Sequence, residues 1–246
     1  MTLRHVRRAV ALVFALALTV LHFWWMRLNG RMTLVRSASW LQTASRWVLK
    51  GLGLRIETEG QPPTSGLAVS NHLGYLDILV LSAAMPCFFV AKREIDSWPY
   101  FGWAARTGGT IFLDRKSIRS ARKVADEIRA RLNLPVPVLL FPEGTSTDGA
   151  EVLRFHSRLI DPATKARASI TAVGIRYRAG SMDERELCWY GGAQFLPHVW
   201  KLLDIEGLSA QVRFGEPRIY ADRRVAAERT HDEIAEWRAL GATVNQ

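Results

Sequence analysis

Beyond residue 53, short apolar runs alternate with longer stretches in which apolar residues return every three or four positions. The short runs are bounded by Gly, Pro or Asn, and this alternation is typical of an α/β domain. We predict strands at residues 55–58, 67–70, 87–91, 110–113, 136–141, 170–177, 186–190 and 210–214. The pattern therefore favours a mixed sheet flanked by helices, with a loop at residues 60–65 (GQPPTS).

Helices are predicted between and after these strands. Their positions are residues 76–84, 99–107, 117–132, 196–203 and 224–240. The third is the clearest, because its apolar residues form one stripe along the helix. The opposite face carries several arginines and lysines, which is ordinary for the solvated side of an amphipathic helix.

The first fifty residues follow a different pattern. Residues 9–26 (AVALVFALALTVLHFWWM) carry no formal charge, and a helix of that length would span about 27 Å. Residues 37–52 place their apolar side chains near one helical face. A single spanning anchor and two helices half-sunk in one leaflet both fit this pattern. We therefore predict a membrane-associated segment at residues 1–53 and one α/β domain at residues 54–246.

Composition locates the excess charge. The chain has 33 Lys and Arg against 23 Asp and Glu, a net charge of +10. Residues 1–50 contribute eight basic side chains and no acidic one, so the rest of the chain is nearly balanced. A secretory signal is disfavoured, because the apolar run ends in Phe-Trp-Trp rather than in small residues. The charge thus belongs to the membrane segment and does not indicate nucleic-acid binding.

The cysteines indicate neither a disulfide nor a metal site. Cys87 and Cys188 are far apart and show no C-x-x-C or metal-ligand spacing. We expect both to be buried small apolar side chains in a reducing compartment.

The first candidate for chemistry is the segment at residues 70–77 (SNHLGYLD), which follows an apolar strand and leads into a helix. Inside one helix, His72 and Asp77 would point about 140° apart. They can meet only if His72 precedes the helix and Asp77 falls in its first turns, where the helix dipole also favours a carboxylate. Such a pair is a general base and its orienting carboxylate. Alone, His72 could equally be a structural histidine that caps a turn.

The same spacing occurs once more, at His156 and Asp161. Asp161 directly precedes Pro162, which disfavours a helix there, and no apolar strand leads into the pair. We interpret this second pair as chance.

Two further segments carry polar groups at predicted strand ends. Residues 141–146 (FPEGTS) bring an acid, a glycine and two hydroxyls to the edge of the sheet where α/β proteins usually bind ligands. Residues 108–115 (GGTIFLDR) bring Arg115, whose planar guanidinium suits phosphate. Taken alone, the first of these is more often a plain turn with Pro and Gly.

Together these segments resemble the glycerolipid acyltransferase family, whose members make phosphatidic acid from lysophosphatidic acid. Four blocks occur in the family's order: N-H-x4-D at residues 71–77, an arginine-bearing block at 109–115, F-P-E-G-T at 141–145 and a late apolar strand at 170–175. Four ordered blocks are far more specific than one. The resemblance implies His72 as general base and Asp77 as its partner.

The resemblance also implies substrates and a location. Arg115, Glu143, Gly144, Thr145 and Ser146 are expected around the acceptor's head group. The expected acceptor is a lysolipid, whose hydroxyl would attack the thioester of acyl-CoA or acyl-carrier protein directly, without a covalent acyl-enzyme. No cofactor, metal or nucleic acid is expected. The expected location is a bacterial inner membrane, with the catalytic domain facing the cytoplasm.

One departure leaves the acceptor open. Relatives specific for lysophosphatidate often carry Arg directly after E-G-T, where this chain has Ser146. Residues 141–149 (FPEGTSTDG), with Trp-Tyr-Gly at 189–191 and Leu-Pro-His at 196–198, also resemble bacterial acyltransferases that complete ornithine lipids. The acceptor is therefore either 1-acylglycerol-3-phosphate or a lyso-ornithine lipid.

Two other classes of function are less consistent with the sequence. A serine or cysteine hydrolase would need a nucleophile, but the chain has no G-x-S-x-G motif and neither cysteine lies in a nucleophile context. An inactive lipid-binding scaffold would have no need to retain His72, Asp77, Glu143 and Arg115 together.

Overall fold

The computed structural model describes residues 2–114 and 118–242, and its strands form one mixed sheet in the order β1-β7-β6-β2-β5-β3-β4. The strands are β1 Arg55–Glu59, β2 Leu67–Ser70, β3 Phe88–Lys92, β4 Ile111–Leu113, β5 Val138–Leu140, β6 Ile170–Arg178 and β7 Ser209–Phe214. Neighbours run parallel except β6 and β7, which are antiparallel. Every residue of β2 and β5 is buried, because helices cover both faces of the sheet.

The helices form two layers. They are α1 Leu3–Leu28, α2 Leu34–Leu52, α3 Leu76–Ala84, α4 Pro99–Thr107, α5 Ile118–Leu132, α6 Asp161–Lys165, α7 Phe195–Leu202 and α8 Arg223–Ala242, with 3-10 turns at Arg93–Ser97, Ser157–Leu159 and Glu184–Glu186. One core cluster joins α2 and α3 to the sheet through side chains such as Trp40 and Leu81. The other includes Ile128 of α5 and Ala226 of α8. The sheet thus separates a face that carries α1 to α3 from a face that carries α5, α6 and α8.

The two predicted N-terminal helices are confirmed, and they pack on each other. A side chain at Gly51 of α2 would lie 3.0 Å from the Cα of Leu12, so glycine permits the close approach of α1. Trp40 of α2 is fully buried and donates its indole N–H to the Thr19 carbonyl at 3.2 Å. Among the described helices, α1 is long and apolar enough to cross a membrane, with a mean hydropathy of 2.0. The domain boundary at residue 53 stays a prediction, but α2 shares the core of the domain.

The predicted strand at residues 186–190 is wrong. This segment begins in a 3-10 turn and continues as a loop in which Leu187 and Cys188 are buried. The N–H of Trp189 donates to the Leu73 carbonyl at 2.8 Å instead of to a neighbouring strand. Packing against the turn between β2 and α3, and not sheet pairing, therefore produces the buried side chains. The other predicted strands are found within two residues of their expected ends.

The helix predictions after residue 53 are confirmed to within two residues over the described part of the chain, and two of them match at both ends. The short helix α6 was not predicted, because its proline suggested a break. Proline is in fact favoured in the first turn of a helix, where its missing N–H has no partner to lose. Cys87 and Cys188 are buried free thiols, as the sequence indicated.

Candidate active site

The candidate site lies where parallel strands end. β2, β5 and β6 run in the same direction, so their carboxyl ends meet at one edge of the sheet, which is where α/β proteins bind ligands. The turn between β2 and α3 and the loop after β5 converge there. Asn71 fixes the turn to β6, because its side chain donates to the Ile175 carbonyl at 3.0 Å and accepts from the Ile175 N–H at 2.9 Å.

His72 and Asp77 form the predicted pair. His72 precedes α3, Asp77 lies in its first turn, and their side chains are joined by a 2.7 Å hydrogen bond between Nδ1 and Oδ2. The same Oδ2 accepts the backbone N–H groups of Leu73 at 2.6 Å and Gly74 at 3.0 Å. The Asp77 side chain is fully buried, whereas the His72 side chain is 21% exposed. A carboxylate partner places the proton on Nδ1, which leaves Nε2 as the basic nitrogen.

The loop after β5 holds His72 in place. The N–H of His72 donates to Oε1 of Glu143 at 2.9 Å, and the His72 carbonyl accepts the N–H of Thr147 at 2.9 Å. The imidazole stacks on Phe141, with ring centroids 4.1 Å apart and planes 18° from parallel. The F-P-E-G-T block therefore fixes both the backbone and the ring plane of the histidine.

Glu143 faces the backbone of its own protein. Its second oxygen accepts the N–H of Leu153 at 3.2 Å, so backbone amides engage both oxygens of this buried side chain. Burial raises the pKa of the Glu143 carboxyl to about 7, although the amide hydrogen bonds from His72 and Leu153 oppose this change. The structure thus gives Glu143 a positioning contact to His72. A direct contact with the head group stays a prediction.

The other residues predicted to bind the head group are Gly144, Thr145, Ser146 and Arg115, and the structure describes the first three. Gly144 adopts φ +78°, a conformation that favours glycine, and directs the chain past His72. Thr145 is exposed and Ser146 half-buried, and neither hydroxyl bonds to a residue within 2–114 or 118–242. Arg115 lies outside the described residues. The role of this group in substrate binding stays a prediction.

The second pair with the same spacing does not form a dyad. His156 is exposed, and Asp161 instead forms ion pairs with Lys165 at 2.7 Å and Arg223 at 3.1 Å. The interpretation of this pair as chance is confirmed. Pro162 was expected to disfavour a helix there, but Asp161 begins α6.

Sequence reasoning missed one residue of the site, Tyr177. Its hydroxyl donates to the second oxygen of Asp77 at 2.5 Å. Burial, and the charge of Asp77, raise the pKa of Tyr177 well above its ordinary value, so it stays a donor. The available signal was a phenol hydroxyl near the end of a buried strand that was expected near the motif.

An apolar cavity of about 290 Å³ lies on the face of the sheet that carries α3. Side chains from α1, α2, α3, α4 and α7 line it, among them Leu16, Val48, Ile78, Phe101 and Val199. Phe89, in its wall, lies 6.3 Å from Phe141, the ring on which His72 stacks. Tyr75, from the segment that carries the dyad, lines the cavity and shares a 2.9 Å hydrogen bond with His198. The rings of Phe141 and Phe89 therefore lie between the candidate base and the cavity.

Known proteins share this sequence pattern. The sequence model of the protein family described as Acyltransferase matches residues 54–176. A lyso-ornithine lipid O-acyltransferase of Rhodobacter capsulatus is 36% identical over 179 residues, 70% of this chain and 64% of that protein. A second one, from Pseudomonas aeruginosa, is 30% identical over 198 residues, 78% of this chain and 76% of that protein.

A third relative acts on a different lipid. A 1-acyl-sn-glycerol-3-phosphate acyltransferase of Neisseria meningitidis is 31% identical over 173 residues, 69% of this chain and 68% of that protein. The crystal structure of the 1-acyl-sn-glycerophosphate acyltransferase of Thermotoga maritima superposes on this chain with a TM-score of 0.58. The two chains are 17% identical, and the match covers 94% of this chain and 96% of that one, so they share the fold. The resemblance inferred from four sequence blocks is confirmed, and the chain belongs to the Acyltransferase family.

Proposed function

We propose that the protein transfers a fatty-acyl group from a thioester to the hydroxyl of a lysolipid, with His72 as general base. The observation that carries this proposal is the 2.7 Å hydrogen bond from His72 Nδ1 to buried Asp77, which leaves Nε2 as the basic nitrogen. Nε2 takes the proton of the acceptor hydroxyl while its oxygen attacks the thioester carbonyl. Collapse of the tetrahedral intermediate breaks the C–S bond, and the imidazolium returns the proton to the leaving thiolate.

The geometry supports transfer without an acyl-enzyme. A thioester is already activated, so a positioned base, which contributes about 10²–10⁴-fold, acts together with the orientation of two bound substrates. Both described cysteines are buried, and burial raises the pKa of each thiol, so neither is a ready nucleophile. We propose acyl-CoA or acyl-carrier protein as the donor, with no cofactor.

The apolar cavity is the proposed site for an acyl chain. Its volume of about 290 Å³ is near the lower end of ordinary ligand pockets, which begin at about 300 Å³. Its lining is almost entirely carbon, which suits a hydrocarbon and excludes a charged head group. The head group must then lie on the other side of His72, toward the loop that carries Thr145 and Ser146.

For the head group, one observation favours a lyso-ornithine lipid over 1-acylglycerol-3-phosphate. Residues 141–149 contain no Lys or Arg but do contain Asp148 and several hydroxyls. An ornithine head group carries an ammonium and a carboxylate, whereas lysophosphatidate presents a dianionic phosphate that would need cations. The lyso-ornithine lipid acyltransferases among the relatives agree with this reading.

A competition assay tests the acceptor. Purified protein in detergent receives both lysolipids with one acyl-CoA, and we expect the ornithine product to predominate. Ser146→Arg should shift the product ratio toward phosphatidic acid by about tenfold, which corresponds to one charge-assisted hydrogen bond. The matched control is Ser65→Arg, an exposed serine at the opposite end of β2, which should leave the ratio unchanged. Failure of the wild type to acylate either lipid would overturn the proposed function.

We further propose that α1 lies in the plane of a bacterial inner membrane, with the catalytic domain on the cytoplasmic side. Exposed apolar side chains run along the helix, among them Val13, Phe14 and Trp25. Contacts to the domain hold both halves of α1: Arg8 donates to the Ile205 carbonyl, and Thr19 shares a 2.5 Å hydrogen bond with Tyr100. A helix that crossed the bilayer would have to break these bonds, so they support an in-plane orientation.

The apolar surface continues onto α7. Leu196 is 74% exposed and Trp200 54% exposed. The ring of Trp200 lies 4.1 Å from that of His5, so the surface of α7 is continuous with that of α1. We propose that both helices contact the same leaflet. Because α1 and α7 also line the apolar cavity, an acyl chain can enter it from the lipid.

A further inference from the structure

We propose that Tyr177 is a positioning residue for the transfer reaction: its hydroxyl holds the second oxygen of Asp77 and keeps that carboxylate directed at His72. The inference rests on the proposed function, since it assigns Tyr177 a part in the reaction of His72. Tyr177 lies at the end of β6 and contacts the dyad across 100 residues of sequence.

The two oxygens of Asp77 have unequal support. Oδ2 has three donors, namely Nδ1 of His72 and the N–H groups of Leu73 and Gly74. Oδ1 accepts its hydrogen bond from Tyr177 at 2.5 Å. The Asp77 side chain is fully buried. Loss of the Tyr177 hydroxyl would therefore remove a hydrogen bond from a buried, charged oxygen, which is costly. Tyr177 therefore governs both the rotation of the carboxylate and how its charge is shared between the two oxygens.

Tyr177 is itself held rigidly. Its N–H donates to Oε1 of Glu184 at 2.7 Å, and Oε2 of Glu184 pairs with Arg238 of α8 at 2.8 Å. Arg238 also donates to the carbonyls of Ile175 and Gly149, each at 2.6 Å. The ion pair thus fixes the end of β6 to α8 and to the loop that contacts His72. A hydroxyl on so rigid a support loses little freedom when it binds Asp77.

Other titratable groups face the dyad. Glu143 contacts the backbone of His72 from the loop after β5, and burial raises its pKa to about 7. Cys188 lies near Asp77 in the loop after β6, and burial raises the pKa of its thiol, so it stays neutral. The Glu184–Arg238 pair carries no net charge. Among these neighbours, Glu143 is the one whose titration overlaps the pH range of the assay.

The hydrogen bond predicts a direction for the pH dependence. A donor to Oδ1 draws negative charge away from Oδ2 and so weakens the pull of Asp77 on a protonated His72. Loss of the donor should therefore favour the imidazolium, which cannot act as a base. The acidic limb of kcat/KM should move to higher pH. A purely structural role for Tyr177 would lower the amount of folded protein without moving that limb.

The test compares wild type and Tyr177→Phe in detergent, with palmitoyl-CoA and whichever lysolipid the wild type acylates. We expect the acidic limb of kcat/KM to rise by about one pH unit and kcat to fall by about tenfold, with KM changed less than about threefold. The matched control is Tyr220→Phe, which removes a phenol hydroxyl that interacts with Arg218 away from the site. Its limb should coincide with that of the wild type. A coinciding limb for folded Tyr177→Phe would overturn the proposal.

A second measurement applies if Tyr177→Phe does not fold. 3-Fluorotyrosine placed at position 177 keeps the hydroxyl but makes it a stronger donor, so the acidic limb should move to lower pH. An unmoved limb in this protein would reject the proposal. Either result is separate from failure of the proposed function, which would appear as a wild type without transfer or as a fully active His72→Ala variant.

Discussion

The proton on Nδ1 of His72 decides which nitrogen acts as the base. Asp77 fixes that proton with a 2.7 Å hydrogen bond, and two backbone N–H groups fix Asp77 in turn. A neutral amide at position 77 can present either its oxygen or its NH2 group to Nδ1, so it holds the imidazole less strictly. At the scale of single residues, the site is therefore defined by hydrogen-bond direction as much as by distance.

Substitutions at the dyad test this reading. His72→Ala should lower kcat by about 10²–10⁴-fold with the protein still folded and bound to membranes, because it removes the general base. Asp77→Asn should have a smaller effect that is still large, because the base remains but loses its orientation. His156→Ala is the matched control, since His156 has the same spacing to an aspartate and an exposed side chain, while its backbone N–H, which donates to the Pro142 carbonyl at 2.9 Å, is kept in the variant. Full activity of His72→Ala would exclude the mechanism.

The raised pKa of Glu143 predicts how the stability of the protein depends on pH. Its pKa in the folded protein is raised by burial to about 7 from 4.5, so folding favours the protonated form. The resulting stability is fully present below pH 4.5 and is lost as the pH rises through 7. Over that interval the wild type should lose up to about 3 kcal/mol relative to Glu143→Gln, which cannot titrate.

Unfolding in detergent at pH 5 and at pH 8 provides the measurement. Wild type and Glu143→Gln are compared at both values, so that slopes common to the two proteins cancel. Parallel pH dependences would show that the carboxyl titrates normally in the folded protein. Glu143→Gln should be less stable overall, since its amide cannot accept both backbone N–H groups. That loss is the same at both pH values and so does not affect the comparison.

The sequence alone predicted the dyad but not Tyr177, which contacts Asp77. His72 and Asp77 are five positions apart, so local geometry limited how they could meet. Tyr177 is 100 positions from Asp77, and only the pairing of β2 with β6 brings them together. Glu143 was predicted at the site from its motif, but its contacts with two backbone amides depend on loop packing that no spacing reveals.

At the scale of elements, the turn between β2 and α3 depends on the loop after the 3-10 turn at Glu184–Glu186. Gly74 adopts φ +153°, and a side chain there would lie 3.0 Å from the backbone nitrogen of Trp189. This crowding explains why the predicted strand at residues 186–190 is a loop: its backbone bonds to the turn at Leu73 instead of to a strand. Apolar residues marked the segment as buried, but they could not indicate what it packs on.

Gly74→Ala should disturb both segments. The added methyl group would crowd the backbone of Trp189, which can shift only together with its loop. The backbone conformation at position 74 also strains a non-glycine residue by about 1–3 kcal/mol. We expect lower thermal stability and a fall in kcat, because the Gly74 N–H bonds to Asp77. Gly192→Ala is the control, since a side chain at that position meets nothing within 4 Å. Equal stability and activity of the two variants would contradict this account.

At the scale of the molecule, membrane binding and the catalytic core are not separable. Removal of residues 2–53 would delete Trp40, which is fully buried in the main core, so a truncation would test folding more than binding. The predicted boundary at residue 53 thus falls directly after a helix, α2, whose side chains belong to the core of the domain. Sequence periodicity located both helices, but it could not show that α2 is packed between α1 and α3.

Charged substitutions on the exposed apolar surface are the better test. Val13→Glu with Phe14→Glu on α1, and separately Leu196→Glu with Trp200→Glu on α7, should each weaken binding to anionic vesicles by at least about tenfold. Ile219→Glu is the control, because Ile219 is 67% exposed but lies on a loop away from both helices. Vesicle flotation measures the bound fraction. Unaltered binding of the α7 variant would restrict the membrane contact to α1.

The pairing of β1 with β7 also affects how the protein is made. Glu57 on β1 and Gln211 on β7 are in register but 154 residues apart, which at 5–20 residues per second is roughly 8–30 s of translation. Through this interval the edge of β1 that later pairs with β7 is open, the kind of edge on which chains aggregate. The apolar helix α1 leaves the ribosome before β1 does and can reach lipid first. Early contact with a bilayer would keep nascent chains apart until β7 closes that edge.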